Sequence, residues 1–200
     1  MKRVLIVSVI AGLLAGGTLA AAKSGLPVGG KIEAFLVKNC DGGDPYCQVC
    51  KYGKRPKLIT VGELEDPSWV QDLVAIQKIH KKYSQDGKGL AVFALAAAFQ
   101  DGKAAPVADP DAALARLREI QEKHGLTFPL VIAQNADEVY EAQNKPNPGY
   151  RIFEDYYAVT EGRTVLFGDR GNIVQFNAVL TDDSRGKLLA ELESQVEKNL

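Results

Sequence analysis

Three cysteines within one short segment form the group of residues with the clearest chemistry. They follow the pattern Cys40-x6-Cys47-x2-Cys50. Thiol–disulfide exchange needs a thiolate that can be reached and a second sulfur that resolves the mixed disulfide. The spacing therefore predicts that Cys47 and Cys50 form a reversible redox pair. We expect Cys47 to be the attacking thiolate and Cys40 to be a third partner.

Charged residues surround this cluster and bear on the thiol pKa. Nearby positive charge favours the thiolate and lowers the thiol pKa. Five basic residues flank the cysteines: Lys38, Lys51, Lys54, Arg55 and Lys57. Asp41 and Asp44 act in the opposite sense. Because Pro56 and a strand come next, we expect a loop or irregular hairpin over residues 39–56, with no helix N-terminus at the cysteine pair.

Other chemistries for the cysteines remain open at this point. In an exported protein, a close cysteine pair is also typical of a structural disulfide that holds a long loop. Cu(I) accepts two or three thiolates, which makes a copper carrier a further alternative. Structural zinc sites use four ligands, and neither histidine of the chain lies near the cysteines in sequence. A lysine at position 51 argues against haem attachment, so no cofactor and no metal site is predicted.

The first residues have the layout of a cleavable signal peptide. A basic start, Met1-Lys2-Arg3, precedes a mostly apolar run from Val4 to Leu14 and small residues up to Ala22. We expect cleavage after Ala22, which would make the protein periplasmic or secreted. An uncleaved anchor is the alternative, but the glycine and alanine content makes this segment a poor membrane-spanning helix. No stable membrane insertion is expected after cleavage.

Residues 23–200 are predicted to form one α/β domain with helices on both faces of a sheet, since strands and helices alternate. Asp66-Pro67 and Asp109-Pro110 each pair an N-capping acid with a proline in the first turn. Gly168 to Asn172, between apolar runs, predicts a hairpin. The predicted strands cover 31–37, 57–61, 90–98, 128–133, 164–167 and 173–176. The predicted helices cover 110–124, 136–143 and 184–198, with a further helix that begins at 67 and is ended by Gly87 and Gly89.

This order of elements, with a CxxC ahead of it and TVLFGDRGNI at 164–173, resembles the redoxin branch of the thioredoxin superfamily. That branch includes peroxiredoxins and exported thiol–disulfide oxidoreductases. The resemblance implies a thioredoxin-like mixed sheet flanked by helices, preceded by an N-terminal strand and a cysteine-containing loop. It also implies thiol–disulfide oxidoreductase or peroxiredoxin-like antioxidant activity. The expected partner is a redox protein or a thiol or disulfide substrate.

The chain departs from the pattern of that family at two places. The family's reactive cysteine follows the first central strand, but residues 62–68 contain no cysteine here. The proline that normally precedes the hairpin strand is replaced by Gly162-Arg163-Thr164. Arg163 does occupy the place where peroxiredoxins have an arginine beside the peroxide, so the resemblance makes it a candidate catalytic residue.

Composition excludes several other classes of protein. Hydrophobic residues make up 46% and charged residues 24% of the 200 residues, as in ordinary globular chains. This excludes a disordered chain and a multi-span membrane protein. The formal net charge of −1 gives no electrostatic basis for nucleic-acid binding.

Overall fold

A computed structural model describes residues 24–84, 89–149 and 151–200, so the signal peptide expected over residues 1–22 lies outside the described residues. The described residues form eight strands: β1 (Leu36–Asn39), β2 (Tyr46–Cys47), β3 (Lys57–Glu63), β4 (Ala91–Gln100), β5 (Lys103–Ala105), β6 (Leu130–Ala133), β7 (Thr164–Gly168) and β8 (Val174–Val179). They also form five α-helices: α1 (Gln48–Tyr52), α2 (Pro67–Tyr83), α3 (Pro110–His124), α4 (Asp137–Ala142) and α5 (Arg185–Asn199). A π-helical turn covers Ile152–Tyr156.

The strands form one mixed sheet in the order β2-β1-β6-β4-β3-β7-β8, and β5 pairs with β4. The central strands β3, β4 and β6 run parallel, and their connections pass through α2 and α3. The strands at both edges pair antiparallel, with β2 and β1 on one side and β7 and β8 on the other. This is the mixed α/β sheet that the sequence predicts.

The two faces of the sheet have separate apolar cores because side chains alternate along each strand. Leu58 of β3 points to the core formed with α2, α3 and α5, and we call this the helix-covered face. Ile59 points to the opposite face, which is covered by residues near the N-terminus, α1 and the π-helical turn. Helices therefore lie on both faces, as expected, but all three long ones share one face.

Both predicted helix starts are confirmed by their capping hydrogen bonds. The Asp66 carboxylate accepts from the Ser68 N–H at 2.8 Å, and the Asp109 carboxylate accepts from the Ala112 N–H at 3.0 Å. The α3 helix ends at Gly125, whose φ of 59° is left-handed and suits glycine.

The first predicted strand was placed too early. Residues 31–37 were expected to be extended in the sheet, but the strand is Leu36–Asn39. Before it, the Ile32 N–H donates to the Asn172 carbonyl, and Lys31 forms an isolated bridge with Ile173. The apolar residues Ile32 and Phe35 fill the opposite-face core without belonging to a strand. Their pattern reflects burial, which a sequence cannot distinguish from strand pairing.

A buried ion cluster joins α2, α5 and the start of β7. The Asp72 side chain is 0% exposed and accepts hydrogen bonds from Arg163 at 2.7 and 3.0 Å and from Nε of Arg185. Asp182, which is 66% exposed, pairs with the same two arginines at 3.0 and 2.8 Å. The cluster holds distant parts of the chain together beneath the carboxyl end of β3.

Candidate functional site

Cys47 and Cys50 are joined by a disulfide, with 5.2 Å between their Cα atoms. Cys50 is exposed and Cys47 is half-buried, so solvent reaches the pair. Gln48 and Val49 between them are buried, which fixes the backbone of the loop. The Cys50 N–H donates to Sγ of Cys47 at 3.0 Å. A donor at this place would stabilise negative charge on the Cys47 sulfur when the disulfide is open.

The cysteine pair lies at a helix start, and the expectation of no helix there was wrong. Cys47 ends β2 and is the N-cap of α1, a helix of five residues. The hairpin expected over residues 39–56 is present, since β1 and β2 pair with Leu36 opposite Cys47. One helical turn before Pro56 is too short to leave a periodic pattern in the sequence.

A groove of about 180 Å³ lies beside the disulfide, and we call it the disulfide groove. Both cysteines line it, together with apolar and aromatic residues: Phe35, Leu36, Tyr140, Pro146, Pro148 and Tyr156. Among the described residues that line it, Lys145 is the one charged side chain. The Tyr140 hydroxyl accepts from the Leu36 N–H at 3.1 Å and fixes one wall.

Sequence reasoning missed this groove. The loop 144–149 was predicted from its prolines and asparagines, and Tyr156 was interpreted as a packing residue. The structure brings both beside the cysteines, about one hundred residues away along the chain. The sequence shows only a loop with two prolines after a short predicted helix. That pattern does not indicate which part of the fold the loop covers.

The Lys57 ammonium ties the end of α1 to the C-terminal hairpin. Its side chain is 0% exposed and donates to the carbonyls of Gly53 at 2.7 Å and Arg55 at 2.9 Å and to Oδ1 of Asn172 at 2.7 Å. Burial lowers the pKa of Lys57 to about 8, because removal from water disfavours the charged form. Sequence reasoning treated Lys57 as a charge beside the thiols, but these oxygens hold its ammonium.

Cys40 lies on the other face of the sheet from the disulfide groove. It is a free cysteine, 0% exposed, in the core of the helix-covered face, whereas Cys47 packs against the opposite-face core. Its thiol donates to Oε1 of Gln121 at 3.3 Å. Burial raises the pKa of the Cys40 thiol to about 11. The fold therefore does not bring Cys40 together with the redox pair, and its part as a third thiol stays a prediction.

Arg163 also lies far from the cysteine pair. Five strand-to-strand steps separate β2 from β7, so roughly 24 Å of sheet lies between Cys47 and Arg163. Its guanidinium is held by Asp72 and Asp182. Its catalytic role stays a prediction that no contact with the sulfurs supports.

The family's usual cysteine position, at the start of α2, is occupied by the Asp66 cap. Directly before it, Gly62 lies against the ring of Trp69, so close that an added Cβ would be 2.4 Å from ring atoms. Trp69 is 0% exposed and donates to the Thr60 hydroxyl at 3.1 Å. A buried indole thus fills the space behind this position.

Neither a metal-ligand cluster nor a membrane-spanning helix is found in the part of the chain that the structure describes. Within it, no three histidine, cysteine, aspartate or glutamate side chains come together as a group able to hold a metal ion. None of the helices formed by these residues has the length and apolar character needed to cross a membrane.

No protein-family model and no curated protein matches this chain in sequence.

Solved structures of redox proteins are similar to this chain over most of its length. A candidate protein disulfide isomerase from Bacteroides thetaiotaomicron covers 90% of this chain and 94% of its own, with 15% identity and a TM-score of 0.62. A candidate thiol:disulfide interchange protein DsbE from Chlorobium tepidum covers 86% and 99%, with 14% identity and a TM-score of 0.55. A peroxiredoxin-like protein from Aquifex aeolicus covers 88% of both chains, with 11% identity and a TM-score of 0.52. The chain thus has the thioredoxin-like fold of these thiol–disulfide and peroxiredoxin-like proteins, as its resemblance to the redoxin branch predicted.

Proposed function

We propose that the protein carries out thiol–disulfide exchange outside the cytoplasm through Cys47 and Cys50. The observation that carries the proposal is the reachable disulfide with a backbone donor on one sulfur. Cys50 is exposed, and its N–H lies 3.0 Å from Sγ of Cys47. Exchange requires a stabilised thiolate that can be reached and a second sulfur that resolves the mixed disulfide, and the half-buried Cys47 beside the exposed Cys50 supplies both.

Cys47 is assigned as the attacking thiolate of the reduced protein, and Cys50 as the resolving thiol. The hydrogen bond from the Cys50 N–H supports this order, because a donor lowers the pKa of the sulfur that accepts it. Lys51 lies directly after the pair, with its ammonium 4.4 Å from the centre of the Tyr46 ring. Positive charge there adds to the stabilisation of a thiolate, while the nearby Asp41 and Asp44 reduce it.

An exported location is part of the proposal. The signal-peptide pattern of residues 1–22 supports it, as does similarity in fold to a candidate DsbE protein. Outside the cytoplasm a reachable cysteine pair meets oxidising conditions, so it needs a redox partner to turn over. That partner is expected to be a dithiol or disulfide protein.

The reduction potential of the cysteine pair tests the proposal. The purified protein is equilibrated in graded redox buffers, alkylated, and its free thiols are assigned by mass. Exchange proteins have potentials of roughly −120 to −270 mV, and this range is expected here. A value below about −300 mV belongs to structural disulfides and would overturn the proposal in favour of a redoxin-fold binding or structural module.

Serine variants assign the thiols. Cys47→Ser and Cys50→Ser are each expected to abolish turnover with a dithiol reductant and a protein disulfide. Cys40→Ser is the matched control, since it also removes one thiol but lies on the other face of the sheet. Turnover that survives the double change at Cys47 and Cys50 would contradict the assignment.

Stoichiometric Cu(I) binding by reduced protein without turnover would favour the carrier alternative.

A further inference from the structure

We propose that β2 and the disulfide groove bind an extended, cysteine-bearing polypeptide segment with an apolar residue two positions from the cysteine and an acidic residue next to the apolar one. This inference rests on the proposed function and names its substrate class. The segment would pair with the open edge of β2 and place an apolar side chain in the groove. Three features of the described residues lead to it: a backbone donor at the outer edge of the sheet, an apolar groove and a lysine without an ion pair.

The backbone donor follows from the pattern of hydrogen bonds around β1. The Leu36 carbonyl accepts from the Gln134 N–H at 2.9 Å, so the polar groups of Leu36 face β6. In an antiparallel ladder these groups alternate sides, so those of Val37 face β2 and pair with Tyr46. Cys47, opposite Leu36, therefore points its N–H away from β1 to the outer edge of the sheet. A strand added at that edge would meet this donor next to the disulfide.

The disulfide groove gives the added strand a place for one side chain. Its aromatic and proline walls, with Tyr140, Tyr156 and Pro148 among them, line the same groove as both cysteines. Side chains on a strand alternate between faces, so the residue two positions from the substrate cysteine shares its face and can enter the groove while the substrate sulfur meets the pair. A volume of about 180 Å³ accommodates a leucine- or phenylalanine-sized side chain and little more.

The positive charge at the disulfide groove favours an acidic residue next to the apolar residue of the bound segment. Lys145 is exposed on the groove wall, and its ammonium donates to the Gln143 amide at 3.1 Å. Among the described residues, neither Lys145 nor Lys51 forms an ion pair with a carboxylate. Lys145 on the groove wall, with Lys51 directly after Cys50 in sequence, complements a segment with an acidic residue next to the apolar one.

The exchange step balances with a substrate disulfide as the oxidant. The Cys47 thiolate attacks the sulfur of the substrate cysteine, which forms a Cys47–substrate disulfide and releases the other sulfur as a thiolate. Cys50, after losing its proton to water, attacks Sγ of Cys47. The Cys47–Cys50 disulfide forms again and the substrate leaves as a thiolate. Two electrons pass from the protein dithiol to the substrate disulfide.

Peptide disulfides of opposite charge test the inference on the full chain in its reduced state. Two hexapeptides carry leucine two positions before the cysteine, with glutamate in one and lysine in the other directly before the leucine. Each is activated as a 4-thiopyridyl mixed disulfide, so that the released thiopyridone is followed by absorbance. Uncharged 4,4′-dithiodipyridine serves as the small probe. We expect the glutamate peptide to react about fivefold faster than the lysine peptide, the upper range for one exposed ion pair.

The variant Lys145→Glu is expected to reverse the preference between the peptides, when each peptide rate is divided by the rate of the same variant with 4,4′-dithiodipyridine. The division removes any effect of the new charge on the reactivity of the thiolate itself. Lys198→Glu, at an exposed position on α5, is the matched control and should keep the wild-type preference. A second pair of peptides with asparagine in place of leucine should lose most of the rate advantage over the small probe. Equal rates for all peptides, with the small probe still reactive, would overturn the peptide site and leave the redox function standing. No reaction with the small probe would overturn the proposed function itself.

Discussion

Replacing Asp72 by asparagine tests whether its buried carboxylate holds α2, α5 and the start of β7 together. The side chain is 0% exposed and neutralises Arg163 and Arg185, whose side chains are 12% and 20% exposed. Asparagine has nearly the same volume but carries no charge, and its NH₂ group would face a guanidinium N–H. The two arginines would then lose their buried counter-ion.

The structure sets the size of the effect. Removing one partner of a buried ion pair costs about 3–5 kcal/mol, because the remaining charge is left without compensation. For a domain of this size, Tm should fall by roughly 6–20 °C. Asp182→Asn is the matched control, since it makes the same change beside the same two arginines at 66% exposure. Exposed pairs contribute about 0–1 kcal/mol, so the control should remain close to wild type.

Urea unfolding of the oxidised protein measures both variants. Trp69 is the single tryptophan of the chain and lies three residues before Asp72 on α2, so its fluorescence reports the same region. The m-value should stay constant if only stability changes. Equal decreases in the free energy of unfolding for the two variants, or a decrease below about 1 kcal/mol for Asp72→Asn, would refute the view that the buried carboxylate stabilises the ion cluster.

Two further predictions concern backbone packing and pH. Gly62→Ala should lower the free energy of unfolding by about 1–3 kcal/mol, because the new methyl would overlap the buried Trp69 ring. Gly186→Ala, in α5 with nothing near its Cβ position, should instead raise the free energy of unfolding by up to about 1 kcal/mol. Thermal unfolding of the two variants measures both effects. A lower Tm in both variants would contradict the prediction. Lys57 has a pKa of about 8 when folded, against 10.5 ordinarily, so the unfolded state binds more protons between these values. The free energy of unfolding of the wild type, relative to that of Lys57→Met, should therefore rise as the pH goes from about 8 to about 10.5. Urea unfolding measures this difference, and a difference that stays flat or falls across that range would contradict a lowered pKa for the buried ammonium.

Local signals in the sequence predicted most of the elements. The caps at Asp66 and Asp109 act within three residues of themselves, so they mark helix starts without any tertiary information. The turn at 168–172 is equally local, and β7 and β8 pair around it. The five-residue helix α1 escaped prediction because its form depends on the burial of Gln48 and Val49 against the rest of the fold.

The candidate site was predictable in its sulfurs but not in its surroundings. Cys47 and Cys50 were identified from spacing alone, and they are joined in the structure. The groove wall comes from residues about one hundred positions away, and Arg163 meets Asp72 across 91 positions. No pattern in a single sequence links such positions. A resemblance to peroxiredoxins suggested a peroxide-binding role for Arg163, whereas its actual partners became visible only in the fold.

The buried thiol of Cys40 is a natural probe of local unfolding on the helix-covered face. Cys40 is the one cysteine of the chain outside the disulfide, and its sulfur donates to Gln121 on α3. Because Cys40 is 0% exposed, a maleimide can reach it only after a local opening of the packing around it, of which Gln121 on α3 is part. Its labelling rate therefore measures the free energy of that local opening, as amide exchange does for backbone groups. In the oxidised protein, local opening of the helix-covered face can thus be measured at a native cysteine, without introducing a new one by mutation.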